Sequence, residues 1–418
     1  MSTTGSTATP DTRAVRAFLE ERHVDWARRI AAFCAERIAP LPAPASDDAA
    51  RVQARQILEL LGSGGWLEPI GRLDLRACAL AREALAHASP LADAVFALQA
   101  LGAAPILLAG DDAQRTRWAD PLVRGAAMGA FAMTEPDAGS DVAAMRTTAT
   151  RDGDAYVLNG RKTLISNAGL ADIYTVYAVT DANAGRNGIS CFVVPADTPG
   201  LRFLGPQVMS APHPLGELAF EDCRVPVSHR LGEEGAGFKL GMAALDLLRP
   251  TVAAAACGMA ARALEEAAAH ATSRAQFGQP LAGFQLVQEK LARMATELTA
   301  ARLLVYRAAW EKDGGAARIT VEAAMAKAFA TEAAQRIVDD AVQILGGRGV
   351  LADHPVDRLY RAVRALRIYE GTTEIQHLII ARQVVKEAEA RAAAASGGEP
   401  ATSSSHAAAQ AAGPGGGA

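Results

Sequence analysis

Hydrophobic and polar positions fall into three successive textures along the chain. Over residues 13–125, apolar positions recur at helical spacing in Ala-, Leu- and Arg-rich stretches such as 52–61 and 75–88. Gly62-Ser63-Gly64-Gly65 and Ser89-Pro90 separate them. Near residue 130 the pattern changes, and β-branched and aromatic residues gather in short runs such as Ile173-Tyr174-Thr175-Val176-Tyr177 and Cys191-Phe192-Val193-Val194. Asp152-Gly153 and Asn159-Gly160 are predicted hairpin turns between such runs. Beyond Gly235 helical spacing returns, with Val287, Leu291, Met294 and Leu298 on one face, and Gly314-Gly315 and Gly346-Gly347 as breaks. After Arg391 the chain is Ala, Gly, Ser and Pro without periodicity. The expected organisation is a disordered terminus (1–12), a helical domain (13–125), a β domain (126–235), a second helical domain (236–391) and a disordered tail (392–418). The fold class is α+β, mostly α.

Composition narrows the function. At 418 residues the chain can bury a sizeable core. Its formal charge of −4, from 42 basic and 46 acidic side chains, gives no case for nucleic-acid or membrane-surface binding. No run of membrane-spanning length is free of charge, so no spanning segment is expected. The five cysteines (Cys34, Cys78, Cys191, Cys223, Cys257) lack CxxC spacing and are expected as reduced thiols in a cytoplasmic protein. The eight histidines form no HxH or HExxH pair, so no metal site is expected. The Ser- and Thr-rich first dozen residues carry neither early arginine nor apolar core, unlike a transit or signal peptide.

The strongest candidate for chemistry is Glu370. It lies in Ile368-Tyr369-Glu370-Gly371-Thr372-Thr373-Glu374-Ile375-Gln376, a glycine break between two helix-patterned runs. Val356, Leu359, Tyr360 and Val363 recur before it; Ile375, Leu378 and Ile379 follow. A carboxyl held at such a joint among apolar neighbours is desolvated, which raises its pKa above the usual ~4.3, towards the range useful to a general base.

Other motifs are weaker singly. Residues 131–141 read Phe-Ala-Met-Thr-Glu-Pro-Asp-Ala-Gly-Ser-Asp, offering the Thr134 and Ser140 hydroxyls and backbone N–H groups around Gly139, which suit a polar ring system or an anion as well as a helix cap. Residues 162–169 suit a strand ending in a polar loop. Arg249, in Asp246-Leu247-Leu248-Arg249, reads equally as an ion-pair partner. The guanidinium of Arg274, before Ala275-Gln276-Phe277-Gly278, could grip a pyrophosphate or cap a solvated helix end. Gln343-Ile344-Leu345-Gly346-Gly347 could bring backbone close to a ligand or end a helix.

In joint order these motifs resemble the acyl-CoA dehydrogenase family over roughly residues 90–390. Thr-Glu-Pro-x-Ala-Gly-Ser-Asp comes first, then the Ser166 loop, Phe220-Glu221-Asp222-Cys223-Arg224-Val225-Pro226, Arg274 to Gly278, Gln343 to Gly347, and Tyr369-Glu370-Gly371-Thr372. The resemblance implies an N-terminal helical domain, a β-barrel-like middle domain and a C-terminal four-helix bundle, with FAD as cofactor and a homotetramer built from dimers. Met133, Thr134, Ile165 and Ser166 would then lie along the flavin ring. Arg274, Gln276 and Phe277 would contact the pyrophosphate and adenosine part, completed by Gln285 and by Gln343, Gly346 and Gly347 of a neighbouring subunit. Thr372 and Glu374 match further FAD contacts, and Ser140, Asp246, Arg249 and Gly371 match contacts to the acyl-CoA.

The implied reaction is α,β-desaturation of an acyl-CoA thioester. Glu370 would remove the α-proton as the β-hydride passes to the flavin, and electrons would leave through an electron-transfer flavoprotein. Some relatives place the base one residue before the arginine of Asp-x-x-Arg. Leu248 stands there and cannot take a proton.

The chain also departs from its relatives. Leu164 replaces a common tryptophan beside the flavin, Ala362 and Val363 follow Arg361 where Asp-Ala is common, and the stretch from Trp66 to Leu73 is short. Residues 211–216 (Ala-Pro-His-Pro-Leu-Gly) replace a small polar sequence, with His213 read as a loop residue or a contact to the substrate's nucleotide. These changes point to a branched, alicyclic or aromatic-derived acyl group. The alternatives on the same fold are an oxygen-using oxidase or monooxygenase and a desaturase of carrier-protein thioesters. A non-catalytic flavin-bound scaffold would not need Glu370, Arg249, Ser140 and Thr134 together.

Overall fold

Capped, largely buried helices open the fold. The computed structural model describes residues 10–395; the expectations for 1–9 and 396–418 lie outside them. Helices α1 (Glu21–Phe33), α2 (Asp47–Ser63), α3 (Leu75–Ala88) and α4 (Pro90–Ala109) form the first region, with shorter turns left unlabelled. Ser46, Asp74 and Ser89 accept the N–H groups of Ala49, Ala77 and Ala92 through their side chains, so three of these helices start at a satisfied cap. Helix α4 is apolar nearly all round and lies in the core.

The middle region is one mixed sheet. Strands β1 (Gly129–Ala132), β2 (Thr148–Asp152), β3 (Ala155–Ser166), β4 (Ile173–Val179), β5 (Ile189–Pro195), β6 (Leu201–Pro206), β7 (Leu215–Pro226) and β8 (Arg230–Leu231) run in the order β6-β7-β3-β2-β4-β5-β8, and β1 pairs in parallel with β4. Asp152-Gly153 does turn β2 into β3. Asn159-Gly160 does not turn the chain: it lies inside β3 at a register shift against β7. There a Cβ on Gly160 would come within 2.5 Å of the Thr147 hydroxyl, so the glycine serves close strand approach at a bulge. Gln99 of α4 sews the helices to the sheet, donating to the carbonyls of Leu122 and Ala127 and accepting from the Gly129 N–H.

Helices α5 (Gly237–Ser273), α6 (Gln285–Asp313), α7 (Thr320–Leu345), α8 (Pro355–Leu366) and α9 (Thr373–Ala395) complete the molecule. Met294 and Leu298 are buried on α6, with Val287 and Leu291 packed beside them. Helix α5 crosses α3 so closely that a Cβ on Gly258 would lie 2.1 Å from the Glu83 carbonyl oxygen. The Glu83 carboxylate closes that crossing by accepting from Arg302 and the Tyr306 hydroxyl. The architecture is thus the expected α+β, mostly helical one. By length and composition alone α4 and α5 could cross a membrane, against the expectation of no spanning segment; 78% of each apolar window is buried in the fold. The charge that interrupts α4, Asp93, is itself buried in an ion pair.

Candidate active site

The joint between α8 and α9 is a strained turn. Glu370 has φ +54° and Gly371 φ +92°, so a non-glycine residue is held in the left-handed region, a conformation that clusters at functional positions. Both carbonyls of the turn are pinned. Arg249 Nε donates to Glu370 O at 2.9 Å, Lys327 Nζ donates to Gly371 O at 2.6 Å, and Gln376 Nε2 donates to Gly371 O at 2.9 Å. Arg249 is fixed in turn by Asp246 at 2.6 Å, and Asp246 accepts from the Thr320 hydroxyl. Thr373 starts α9 by donating to Glu332, which also receives Arg367.

The carboxyl is left free while its backbone is held. Glu370 Oε2 is buried without a hydrogen-bond partner, and among the described residues nothing engages the Glu370 N–H. Burial raises the carboxyl's pKa; Arg82, then Arg249 and Lys327, pull the other way. Arg82 is 1% exposed and forks onto Asp93 at 2.7 and 2.9 Å, with its third contact to the Thr251 hydroxyl at 3.0 Å. Thr251 in turn donates to Leu248 O, and Leu248 is a buried apolar residue. The turn therefore presents one unpartnered carboxylate oxygen with the buried Arg82 close enough to act on its charge.

A second cluster of the expected site residues sits on the sheet. Lys162 donates to Glu135 at 2.8 Å and to Met133 O at 3.1 Å, while Glu135 accepts the N–H groups of Arg146 and Thr147. Glu135 of the Thr-Glu-Pro motif thus holds the 134–147 loop. Thr134 O accepts from Thr163 N, which sets the loop beside the end of β3. There Leu164 (φ +54°) and Asn167 (φ +61°) break the strand's alternation, leaving Leu164 56% exposed. Thr134 and Ser166 are half-buried and Ser140 is exposed, whereas the Met133 and Ile165 side chains are in the core, so these two have only backbone to offer a ligand. Ser166 Oγ lies 2.8 Å from His213 Nε2, so His213 is not a free loop residue.

One chain does not bring all the expected cofactor contacts together. Arg274, Gln276, Phe277 and Gln285 are exposed around a small hairpin, β9 (Ala275–Gln276) and β10 (Gln279–Pro280), past the end of α5. Arg274 is 25 residues beyond Arg249, roughly 37 Å along a helix. Gln343, Gly346 and Gly347 are also exposed at the far end of α7, roughly 24 Å from Lys327. A Cβ would meet nothing at Gly278, Gly346 or Gly347, so this end of the bundle offers open backbone. Phe277 is 95% exposed, and Leu286, Val350 and Leu351 are exposed as well.

Arg82, Asp93, Lys327 and Gln376 also surround or hold the Glu370 turn, and periodicity alone does not reveal them. The available signal was a lone charged or polar residue inside an apolar helical run, as with Lys327 among Ala323, Ala324, Ala326 and Ala330. A cavity of about 660 Å³ between α6, α7 and α8 is lined by Arg293, Arg336, Arg361 and Arg367, but Asp340, Glu297, Asp357 and Glu332 already pair them. His23, Asp74 and Asp313 lie within metal-ligand reach of one another, yet Arg22, Arg76 and the Leu75 and Ala77 N–H groups occupy those carboxylates.

Comparison with known proteins identifies the family. Three family models match in chain order: acyl-CoA dehydrogenase N-terminal domain over residues 20–126, middle domain over 130–223 and C-terminal domain over 235–385. A 3-(aryl)acrylate reductase of Clostridium sporogenes is 45% identical over 284 residues, covering 68% of this chain and 75% of its own length. A cyclohexane-1-carbonyl-CoA dehydrogenase of Geobacter metallireducens is 38% identical over 367 residues, covering 84% and 94%. The solved butyryl-CoA dehydrogenase of Megasphaera elsdenii superposes with a TM-score of 0.81 at 36% identity, covering 88% of this chain and 99% of that one. The chain belongs to the acyl-CoA dehydrogenase family and is an FAD-dependent oxidoreductase that desaturates acyl-CoA thioesters.

Proposed function

We propose that Glu370 is the base that removes the α-proton of the acyl-CoA. The observation that carries this is its buried, unpartnered Oε2 on a turn whose carbonyls are tied down by Arg249, Lys327 and Gln376. A thioester α-carbon is too weak an acid for a solvated carboxylate, so a desolvated one with a raised pKa is needed. The Glu370 N–H, free in the turn, is suited to hydrogen-bond the thioester carbonyl and stabilise its enolate character. Bound FAD supplies the acceptor for the β-hydride. Glu370→Gln should keep the yellow flavin yet lose about 10²–10⁴-fold in turnover; near-normal turnover would refute the assignment.

The residues fit the cofactor in two groups. Thr134, Ser166 and Thr372 offer half-buried polar atoms, and Glu374 lies exposed on the first turn of α9. Arg274, Gln276, Phe277, Gln285, Gln343, Gly346 and Gly347 lie too far along α5 and α7 to join them within one chain. A second copy would supply these, and the exposed Phe277, Leu286, Val350 and Leu351 supply an apolar surface for it, in keeping with a homotetramer. Sedimentation of the FAD-loaded protein as a monomer would refute this. The acyl group is proposed to be branched, alicyclic or aromatic-derived, supported by the names of the Clostridium and Geobacter relatives. A sharp optimum on straight-chain thioesters in an anaerobic flavin-bleaching panel would overturn that. An electron-transfer flavoprotein is the proposed acceptor, and the five buried free thiols suit a cytoplasmic location.

A further inference from the structure

We propose that His213 is a positioning residue that holds the Ser166 hydroxyl proton and so turns the Ser166 oxygen lone pair towards the flavin ring. The inference rests on the reading that Ser166 lies along that ring. Its geometric basis is the 2.8 Å contact between Ser166 Oγ and His213 Nε2.

The chain builds this contact rigidly. Pro212 and Pro214 flank His213, so both neighbouring φ angles are fixed and His213 is restricted to extended backbone. The segment is tied to the end of β3 at further points. Gln207 accepts from Leu164 N at 2.8 Å and donates to Thr163 Oγ1 at 2.8 Å, and Pro214 O accepts from Asn167 N at 2.9 Å. Arg51 locks the base of the loop by donating to Ala168 O and Leu215 O. These bonds hold the chain on both sides of Ser166, so the imidazole meets the hydroxyl without a flexible tether.

Burial and the nearby Arg51, opposed by Asp47, push the imidazole pKa down to about 4. His213 is therefore neutral near pH 7 and has a ring nitrogen able to accept the hydroxyl proton. A serine whose proton is taken can only accept from a ligand. An oxidised flavin edge presents bare acceptor nitrogens, and the two-electron reduced ring presents N–H donors in their place. Ser166 polarised by His213 thus matches the reduced ring better and favours flavin reduction.

The test is the two-electron midpoint potential of the FAD-loaded protein, measured anaerobically without substrate. His213→Ala should shift the oxidised/reduced equilibrium about tenfold towards the oxidised form, a potential lower by about 30 mV. Ser166→Ala should give a comparable shift, and the double variant no further one, because both remove the same interaction. His213→Gln, which keeps an acceptor at the end of a similar reach, should restore most of the wild-type value. Wild-type potential in His213→Ala with a shift in Ser166→Ala would overturn the role of His213. An unshifted Ser166→Ala would instead sink the placement of Ser166 along the flavin. Additive shifts would show that His213 acts elsewhere.

Discussion

Lys327 Nζ donates to the carbonyl of Gly371 at 2.6 Å, so a fully buried cation on α7 holds the residue directly after the proposed base. The same ammonium is felt by the Glu370 carboxyl, whose pKa it lowers against the larger effect of burial. Burial brings Lys327's own pKa down to about 8, with Glu370 opposing that fall. One side chain thus fixes the turn's geometry and moderates its charge. Lys327→Met should move the acid limb of the kcat/KM profile to higher pH. Below the base's pKa, each unit of that move lowers activity about tenfold. An unmoved limb would show that Lys327 serves packing alone.

Glu370 is expected to be a liability for stability. Its folded pKa lies above the unfolded value, so the native state binds more protons as pH rises from the unfolded pKa to the folded one. Stability is lost across that window, and the loss persists above it. Glu370→Gln should therefore melt at a higher temperature than wild type at neutral pH, with the difference vanishing below about pH 4. Equal melting temperatures at neutral pH would mean that the carboxylate is well solvated in the fold, contrary to the proposed role as a desolvated base.

Gly371 has a separate requirement. At φ +92° an added Cβ would lie 2.7 Å from Gln376 Nε2 and 3.2 Å from Arg249 Nη2. Gly371→Ala should cost about 1–3 kcal/mol through backbone strain and displace two of the groups that hold the turn. Turnover should fall by more than FAD content does, measured on the same preparation. Parallel loss of both would indicate general unfolding rather than misplacement of Glu370.

The sequence and the structure agree where periodicity or a joint pattern carries the information. The long helices and the Glu370 joint were legible because helical spacing stops at a glycine that the geometry requires. Asn159-Gly160 misled because the same dipeptide that turns hairpins also allows a bulge, and only the proximity of Thr147 separates the two. Lys327, Arg82 and Asp93 were hidden because a charge inside an apolar run says nothing about which distant residue satisfies it. The sequence shows His213 as a loop residue, but its partner Ser166 is 47 residues away, and strand pairing rather than local sequence joins them.

Arg82 and Asp93 make the last case most sharply, since both lie in apolar helices and neither touches solvent. Their bidentate pair stands behind Tyr369 and Glu370, and Arg82 is the strongest of the positive charges lowering the Glu370 pKa. Arg82→Met would leave the Asp93 carboxylate buried without its partner, which should destabilise the protein by roughly 3–5 kcal/mol. Arg82→Met with Asp93→Leu removes both charges and should recover much of that stability, because a well-packed apolar pair avoids the desolvation of two ions. The double variant then isolates the electrostatic effect on the base. It should fold, bind FAD and show an acid limb displaced to higher pH relative to wild type. A stable double variant with an unchanged limb would show that the pair serves the fold and leaves the base untouched.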